Sequence, residues 1–166
     1  MFKYLKYAQY VCLHKYYVFR ECCKLGIPLR GILHDMSKFY PVEFFAYADY
    51  FYGKHREKTY NTETGQWEDN LQADMVKDNF DIAWSHHKYR NPHHWEYWVQ
   101  TNPIYGEVIV AMDDTSIKEM VADWVGAGLA ITGKKDVKTW YEKNYGSMKM
   151  HPDTKVKVRK LIEEVG

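Results

Sequence analysis

Cysteine is scarce in this chain and badly spaced for either of its usual structural uses. Cys12, Cys22 and Cys23 are odd in number and form no CxxC pair, which argues against a zinc ribbon or a disulfide framework. Reduced thiols on an early helix are expected instead. Excess charge of either sign is also lacking. A formal net charge of +1 excludes a broad electrostatic surface for nucleic acid or an anionic membrane. Long apolar runs are missing too. The opening MFKYLKYAQY is broken by Lys3 and Lys6, so no signal peptide is expected, and no stretch approaches the length of a membrane span. The expected location is therefore the cytoplasm, of a bacterium or of a cell infected by a virus. No repeat, linker or low-complexity tract interrupts residues 1–166, which are read as a single domain. A domain of that length buries roughly 70% of its unfolded surface, enough for a real core.

What the chain does have is aromatic residues, with fifteen Tyr and six Trp. Most are expected around the core with their polar tips wet, and some to line a pocket for a flat ligand. Tyr7, Tyr10, Val11, His14 and Val18 recur at helical spacing, predicting a helix over 2–25 that Gly26 and Pro28 stop. A second helix is predicted over 29–39. Pro41 is placed as the first-turn proline of a third, 41–52, whose Phe44, Phe45, Ala48 and Phe51 share a face. Residues 53–70 are polar and are read as a surface loop or flap, with His55 solvated. A fourth helix is predicted over 71–89, with Met75, Phe80, Ala83 and Trp84 as its apolar stripe and Asn91-Pro92 as its break. The runs YWVQ and EVIVAM around TNPIYG predict a small β-hairpin within 95–112. Asp114 or Thr115 is expected to cap a fifth helix, with Ser116 and Glu119 at capping-box spacing. That helix carries Met120, Val121, Asp123 and Trp124 and ends near Gly133. Two further helices are predicted over 136–145 and 152–165. The fold class is all-α, a helical bundle with a small β-hairpin.

The chemistry centres on HDMSKF. His34-Asp35 brings an imidazole and a carboxylate into one small volume, a ligand mixture that divalent transition metals accept. On a continuous helix Lys38 would share their face and suit a phosphate oxygen. If the helices bundle, His14, His34-Asp35, His86-His87 and Asp123 come from four different helices and converge as helical metal sites do. A core penalises such groups unless they are paired or coordinated. His86 and His87 point about 100° apart on a helix, so one is expected as a ligand and the other as a base or phosphate contact. His93-His94 could complete a second metal site or gate the pocket; His93 is read in preference as a local structural residue beside Asn91 and Trp95, and His94 as a candidate substrate contact. Arg90, and more weakly Arg20 or Arg30, could grip an anion. Asp113 and Asp114 fit a helix cap better than a metal site. His151-Pro152 is read as a helix start.

The order His14, His34-Asp35, Asp123 resembles the H…HD…D signature of the HD-domain superfamily of metal-dependent phosphohydrolases. HDMSKF is similar to the HD-x-x-K variant of the HD-GYP branch, and VADW, around Asp123, to the segment that carries the last ligand in many HD proteins. HKYYVFRECCKLGIPLRGILHDMSKF, AWSHHKYRNPHHWEYW and EMVADWVGAGLAITG more closely resemble an uncharacterised family of bacterial and phage HD-like proteins, a likeness that implies no activity. The HD resemblance implies an HD-like helical bundle. It also implies a metal set of His14, His34, Asp35 and Asp123, with His86 or His87 for a second ion. The GYP triplet is lacking, which argues against a cyclic-dinucleotide activity.

The expected function is metal-dependent hydrolysis of a phosphate ester or anhydride, with a nucleotide as the favoured small phosphorylated substrate. Lys38, His86 and His87 are the expected catalytic groups, and Lys38, Arg90 and His94 the substrate contacts. The cofactor is one or two divalent transition metal ions, Mn, Fe, Co or Zn, since a mixed imidazole–carboxylate set does not select among them. Two alternatives stand beside it: a non-catalytic metal- or nucleotide-binding module, and an HD-type di-iron oxygenase. No membrane partner is expected, and homo-oligomerisation is left open.

Overall fold

The structure is a computed structural model that describes residues 2–54, 59–63, 65–68 and 72–166. The reading of His55 falls outside these residues. The fold is mainly α. Among the described residues are the helices α1 (Phe2–Lys24), α2 (Pro28–Leu33), α3 (Pro41–Tyr52), α4 (Gln72–Lys88), α5 (Asp114–Thr132), α6 (Val137–Asn144) and α7 (Pro152–Val165). Two antiparallel hairpins join β1 (Thr59–Asn61) to β2 (Gln66–Glu68) and β3 (Val99–Asn102) to β4 (Gly106–Ile109). No helix is long and apolar enough to cross a membrane among the described residues.

Helix ends fall where the local chemistry puts them. Pro41 and Pro152 open α3 and α7, where a missing N–H costs nothing and the fixed φ is already helical. Gly133 closes α5 with φ +71°, the left-handed cap that glycine adopts without steric cost. The cap of α5 is Asp113, not Asp114 or Thr115. Its carboxylate accepts from the Ser116 N–H at 2.9 Å and from the Ser116 hydroxyl at 2.7 Å. Burial alone would raise the Asp113 pKa, and the two Ser116 hydrogen bonds bring it below the ordinary value. At the start of α7, His151 is the cap, its ring accepting from the Asp153 N–H.

Three sequence expectations change. The second helix does not run to residue 39. It stops after Leu33 and gives way to a 3-10 turn at Met36–Phe39. Part of the polar stretch after Gly53 is the β1–β2 hairpin rather than plain loop. On α3 the buried positions are Glu43, Tyr47 and Ala48, whereas Phe45 and Phe51 are half exposed. The predicted β3–β4 hairpin is present, preceded by a 3-10 turn at Trp95–Trp98. Its reversal is fixed by the Asn102 side chain, which accepts from the N–H groups of Ile104 and Tyr105.

The chain divides into two compact units. The first takes the chain up to Val11 together with Met36–His87. Tyr7, Val11, Tyr47, Ala48 and Ala83 form its core, with the Tyr50 and Phe80 rings stacked at 4.0 Å. The second takes Cys12–Asp35 and Lys88–Gly166. Met120, Val121, Val125, Tyr141, Val158 and Ile162 are among its core residues, and Val18, Cys22 and Ala122 form a smaller cluster.

Two glycines set the helix crossings of the second unit. A Cβ on Gly126 would stand 2.5 Å from Val18 Cγ2 and 3.0 Å from its backbone N. A Cβ on Gly31 would stand 2.8 Å from Cys22 Cβ and 2.9 Å from Phe19 Cα. Those distances leave no room for a side chain. Gly126 thus lets α5 close on α1, and Gly31 does the same for α2.

Candidate metal centre

These crossings place the polar residues of the second unit. His14 lies one turn before Val18 on α1, and Asp123 one turn before Gly126 on α5. The close approach at Val18 and Gly126 brings His14 Nε2 to 3.0 Å from Asp123 Oδ1. His34 follows Gly31 by three residues. Its Nε2 lies 3.3 Å from Asp123 Oδ1 and 3.3 Å from Asp35 Oδ2. His14, His34, Asp35 and Asp123 each offer one ligand atom, and these atoms all lie within 4.8 Å of one another. His14, His34 and Asp35 are each 1% exposed. The four residues that the sequence joined from three separate stretches therefore meet.

The His-Asp pair sits at a break, not within a helix. His34 is the C-cap of α2, with φ −50° and ψ 128°. Lys15 reaches from α1 to donate to the carbonyls of Ile32 and His34, satisfying acceptors that a helix end leaves over. Asp35 has φ +52°, the only positive φ outside glycine among the described residues. Such a conformation costs a non-glycine residue about 1–2 kcal/mol. The break therefore holds Asp35 in a strained geometry that turns its carboxylate onto His34. It also overturns the expectation that His34, Asp35 and Lys38 share one helix face. Lys38 lies on the following 3-10 turn, half buried.

Glu119 and His93 complete the cluster; Glu119 was not expected there, and His93 only as the less favoured alternative. Glu119 is buried one turn before Asp123 on α5, and its Oε1 lies 3.1 Å from His34 Nδ1. The same oxygen is 3.3 Å from His93 Nδ1, while His93 Nε2 is 3.3 Å from Asp35 Oδ1. His93 is thus a member of the cluster, and its reading as a local structural residue is corrected. Trp98 steadies the turn that carries it, its indole N–H donating to the Pro92 carbonyl at 2.7 Å. His94 is half buried, with its ring 4.3 Å from that of His93. Arg90 is exposed. Glu119 is no capping-box partner, since Ser116 is held by Asp113. The sequence signal for it was the spacing Glu119–Asp123, which puts two acids on one face of an otherwise apolar helix.

Electrostatics show what the cluster demands. Burial would lower the His34 pKa, but Asp35, Asp123 and Glu119 outweigh it and hold the imidazole well above its ordinary value. Burial would likewise raise the acids. His34 and His93 nevertheless draw Glu119 down to about 2, and His14 and His34 hold Asp123 well below the usual range. Three carboxylates converge on His34, and a proton there supplies the positive charge they require. A divalent cation meets the same demand, and two imidazoles with two carboxylates are a fitting donor set for a transition metal.

His86 and His87 belong to the first unit, near the end of α4. Adjacent helical side chains diverge, and here they do so around one carboxylate. Glu43 Oε1 takes His86 Nδ1 at 2.7 Å, and Glu43 Oε2 takes His87 Nδ1 at 3.0 Å. Ser37 donates to Oε2 at 2.9 Å. Glu43 is fully buried and was missed in the sequence, where a lone glutamate beside Pro41 reads as a first-turn residue.

Residues 3–164 match the model of a family described as a family of unknown function, DUF5662. No curated protein and no solved structure matches the chain. The match spans nearly the whole sequence, and the chain belongs to the DUF5662 family.

Proposed function

We propose that this protein is a metal-dependent phosphohydrolase of HD type that acts on a phosphate ester or anhydride, with a nucleotide as the favoured substrate. The observation that carries the reading is the convergence of His14, His34, Asp35 and Asp123 on one buried point. Their order along the chain, H…HD…D, is the order of the HD superfamily they resemble. A divalent ion held by these residues would make hydroxide available near neutral pH and withdraw charge from a phosphoryl oxygen.

The chain's own groups have separate tasks. Asp35 and Asp123 hold the negative charge that retains a cation. The buried ring of His14 excludes water from one flank. Half-buried His94 and exposed Arg90 are the phosphate contacts of this unit. A cation beside the reacting phosphoryl group stabilises charge developing in the transition state.

The test pairs elemental analysis of untagged protein with phosphate release from nucleotides and simpler phosphate esters. Asp35→Ala is expected to lose metal and activity together while the helical circular dichroism spectrum survives. Metal retained at full stoichiometry in that variant would overturn the reading.

A di-iron oxygenase is the second reading, and one contact favours it. His93 Nε2 approaches Asp35 Oδ1, the oxygen that does not face His34, which supports a reading in which Asp35 would serve two ions. Stoichiometric iron whose optical spectrum changes on exposure to oxygen, without phosphate release, would decide for it.

A further inference from the structure

We infer that Glu119 is a positioning residue, which fixes the orientation of His34 and His93 so that both rings present Nε2 to the metal ligands. The inference rests on the metal-centre reading above and adds a residue to it. Glu119 Oε1 meets the Nδ1 atoms of both rings, at 3.1 Å from His34 and 3.3 Å from His93. An ionised carboxylate only accepts hydrogen bonds, so the hydrogens in both contacts belong to the imidazoles. With Nδ1 carrying hydrogen, the lone pair of a neutral ring is at Nε2. At that end His34 lies 3.3 Å from Asp35 Oδ2 and Asp123 Oδ1, and His93 lies 3.3 Å from Asp35 Oδ1.

The carboxylate is itself held. Arg30 reaches Glu119 Oε2 at 3.3 Å, so one oxygen is engaged by a guanidinium while the other faces the two rings. Glu119 stands at the Nδ1 end of His34, across the ring from Asp35 and Asp123. That placement makes it a support for the ligands and not a fifth member of the set. The arrangement is a carboxylate–histidine–metal relay, in which the outer acid sets the tautomer and raises the basicity of the ligand. Here one carboxylate serves two histidines. Because Glu119 and Asp123 are four residues apart on α5, a single helix delivers both a ligand and the anchor of its neighbour.

The test uses the whole untagged chain with zinc as the probe. Zinc affinity is measured by competition with a chromophoric chelator for the wild type and for Glu119→Gln, a near-isosteric change that removes the charge. The expected result is an affinity lower by roughly 10–100-fold with the helical spectrum unchanged. Long-range 1H–15N correlation of the zinc-loaded wild type supplies a readout that needs no variant. It is expected to show His34 with a protonated Nδ1 and zinc on Nε2. Zinc on Nδ1 of His34, or wild-type affinity in Glu119→Gln, overturns the inference and leaves the metal centre standing. A wild-type chain that binds no zinc, manganese, iron or cobalt removes both.

Discussion

Two buried glutamates, one in each unit of the chain, receive the Nδ1 atoms of two histidines. Their surroundings differ. Glu43 gives one oxygen to His86 and the other to His87, and it also accepts from the neutral hydroxyl of Ser37. Aromatic rings border His87, with Trp84 stacked at 6.0 Å and Tyr47 edge-on at 6.2 Å. Glu119 gives a single oxygen to both His34 and His93 and the other to the cationic Arg30. Across the His34 ring stand two more carboxylates, Asp35 and Asp123. The same glutamate–histidine contact therefore sits in two charge environments, beside aromatic rings at Glu43 and beside two further acids at Glu119.

The largest expected effect tests that contrast at the proposed metal centre. Asp123→Asn removes a proposed ligand and its charge, so its loss of zinc affinity should exceed the roughly 10–100-fold expected of an outer residue such as Glu119. Equal losses in Asp123→Asn and Glu119→Gln would erase the distinction between ligand and support. At the other glutamate the effect should be on stability. Glu43→Ala leaves His86, His87 and Ser37 without their shared acceptor, and breaking a buried ion pair costs about 3–5 kcal/mol. Urea denaturation measures it. A cost below about 1 kcal/mol would mean that Glu43 is not holding these groups.

The sequence showed some of this and hid the rest, for physical reasons. Helix limits set by local chemistry were legible: Pro41, Pro152 and Gly133 mark α3, α7 and the end of α5 without help from tertiary structure. The quartet His14, His34, Asp35 and Asp123 was legible because His and Asp are costly in a core. A histidine at position 14 on a face with Tyr7, Val11 and Val18 is conspicuous. Glu43 and Glu119 were not legible, because glutamate is a good helix former that ordinarily points to water. Only the partner helices show these two inside. The break at His34-Asp35 was hidden as well, since neither residue ends a helix by composition. It depends on Lys15, from a distant part of the chain, and on the positive φ of Asp35. Glycines 31 and 126 cost a helix backbone entropy, and only the structure shows that they admit another backbone.

Gly126→Ala turns that last observation into a measurement. The new Cβ would lie within 3.0 Å of Val18, and overpacking of this kind costs about 1–3 kcal/mol. Because the crossing sets the distance between His14 and Asp123, zinc affinity should fall along with stability. A variant of normal affinity and reduced stability would show that the metal centre does not depend on this approach of α5 to α1.

The smallest effect comes from a third carboxylate on the way into α5, exposed where Glu119 is buried. Asp113 caps the helix through Ser116, and removing a cap costs about 1 kcal/mol. Its folded-state pKa lies below the ordinary 3.8. Its contribution is therefore fully present above that value and is lost as pH falls through the lowered one. The stability difference between wild type and Asp113→Ala should hold steady from neutral pH down to about pH 4 and then shrink in stronger acid. Urea denaturation across that range follows it. A difference that stayed constant in acid would mean that the charge contributes nothing and that a neutral carboxyl caps α5 equally well.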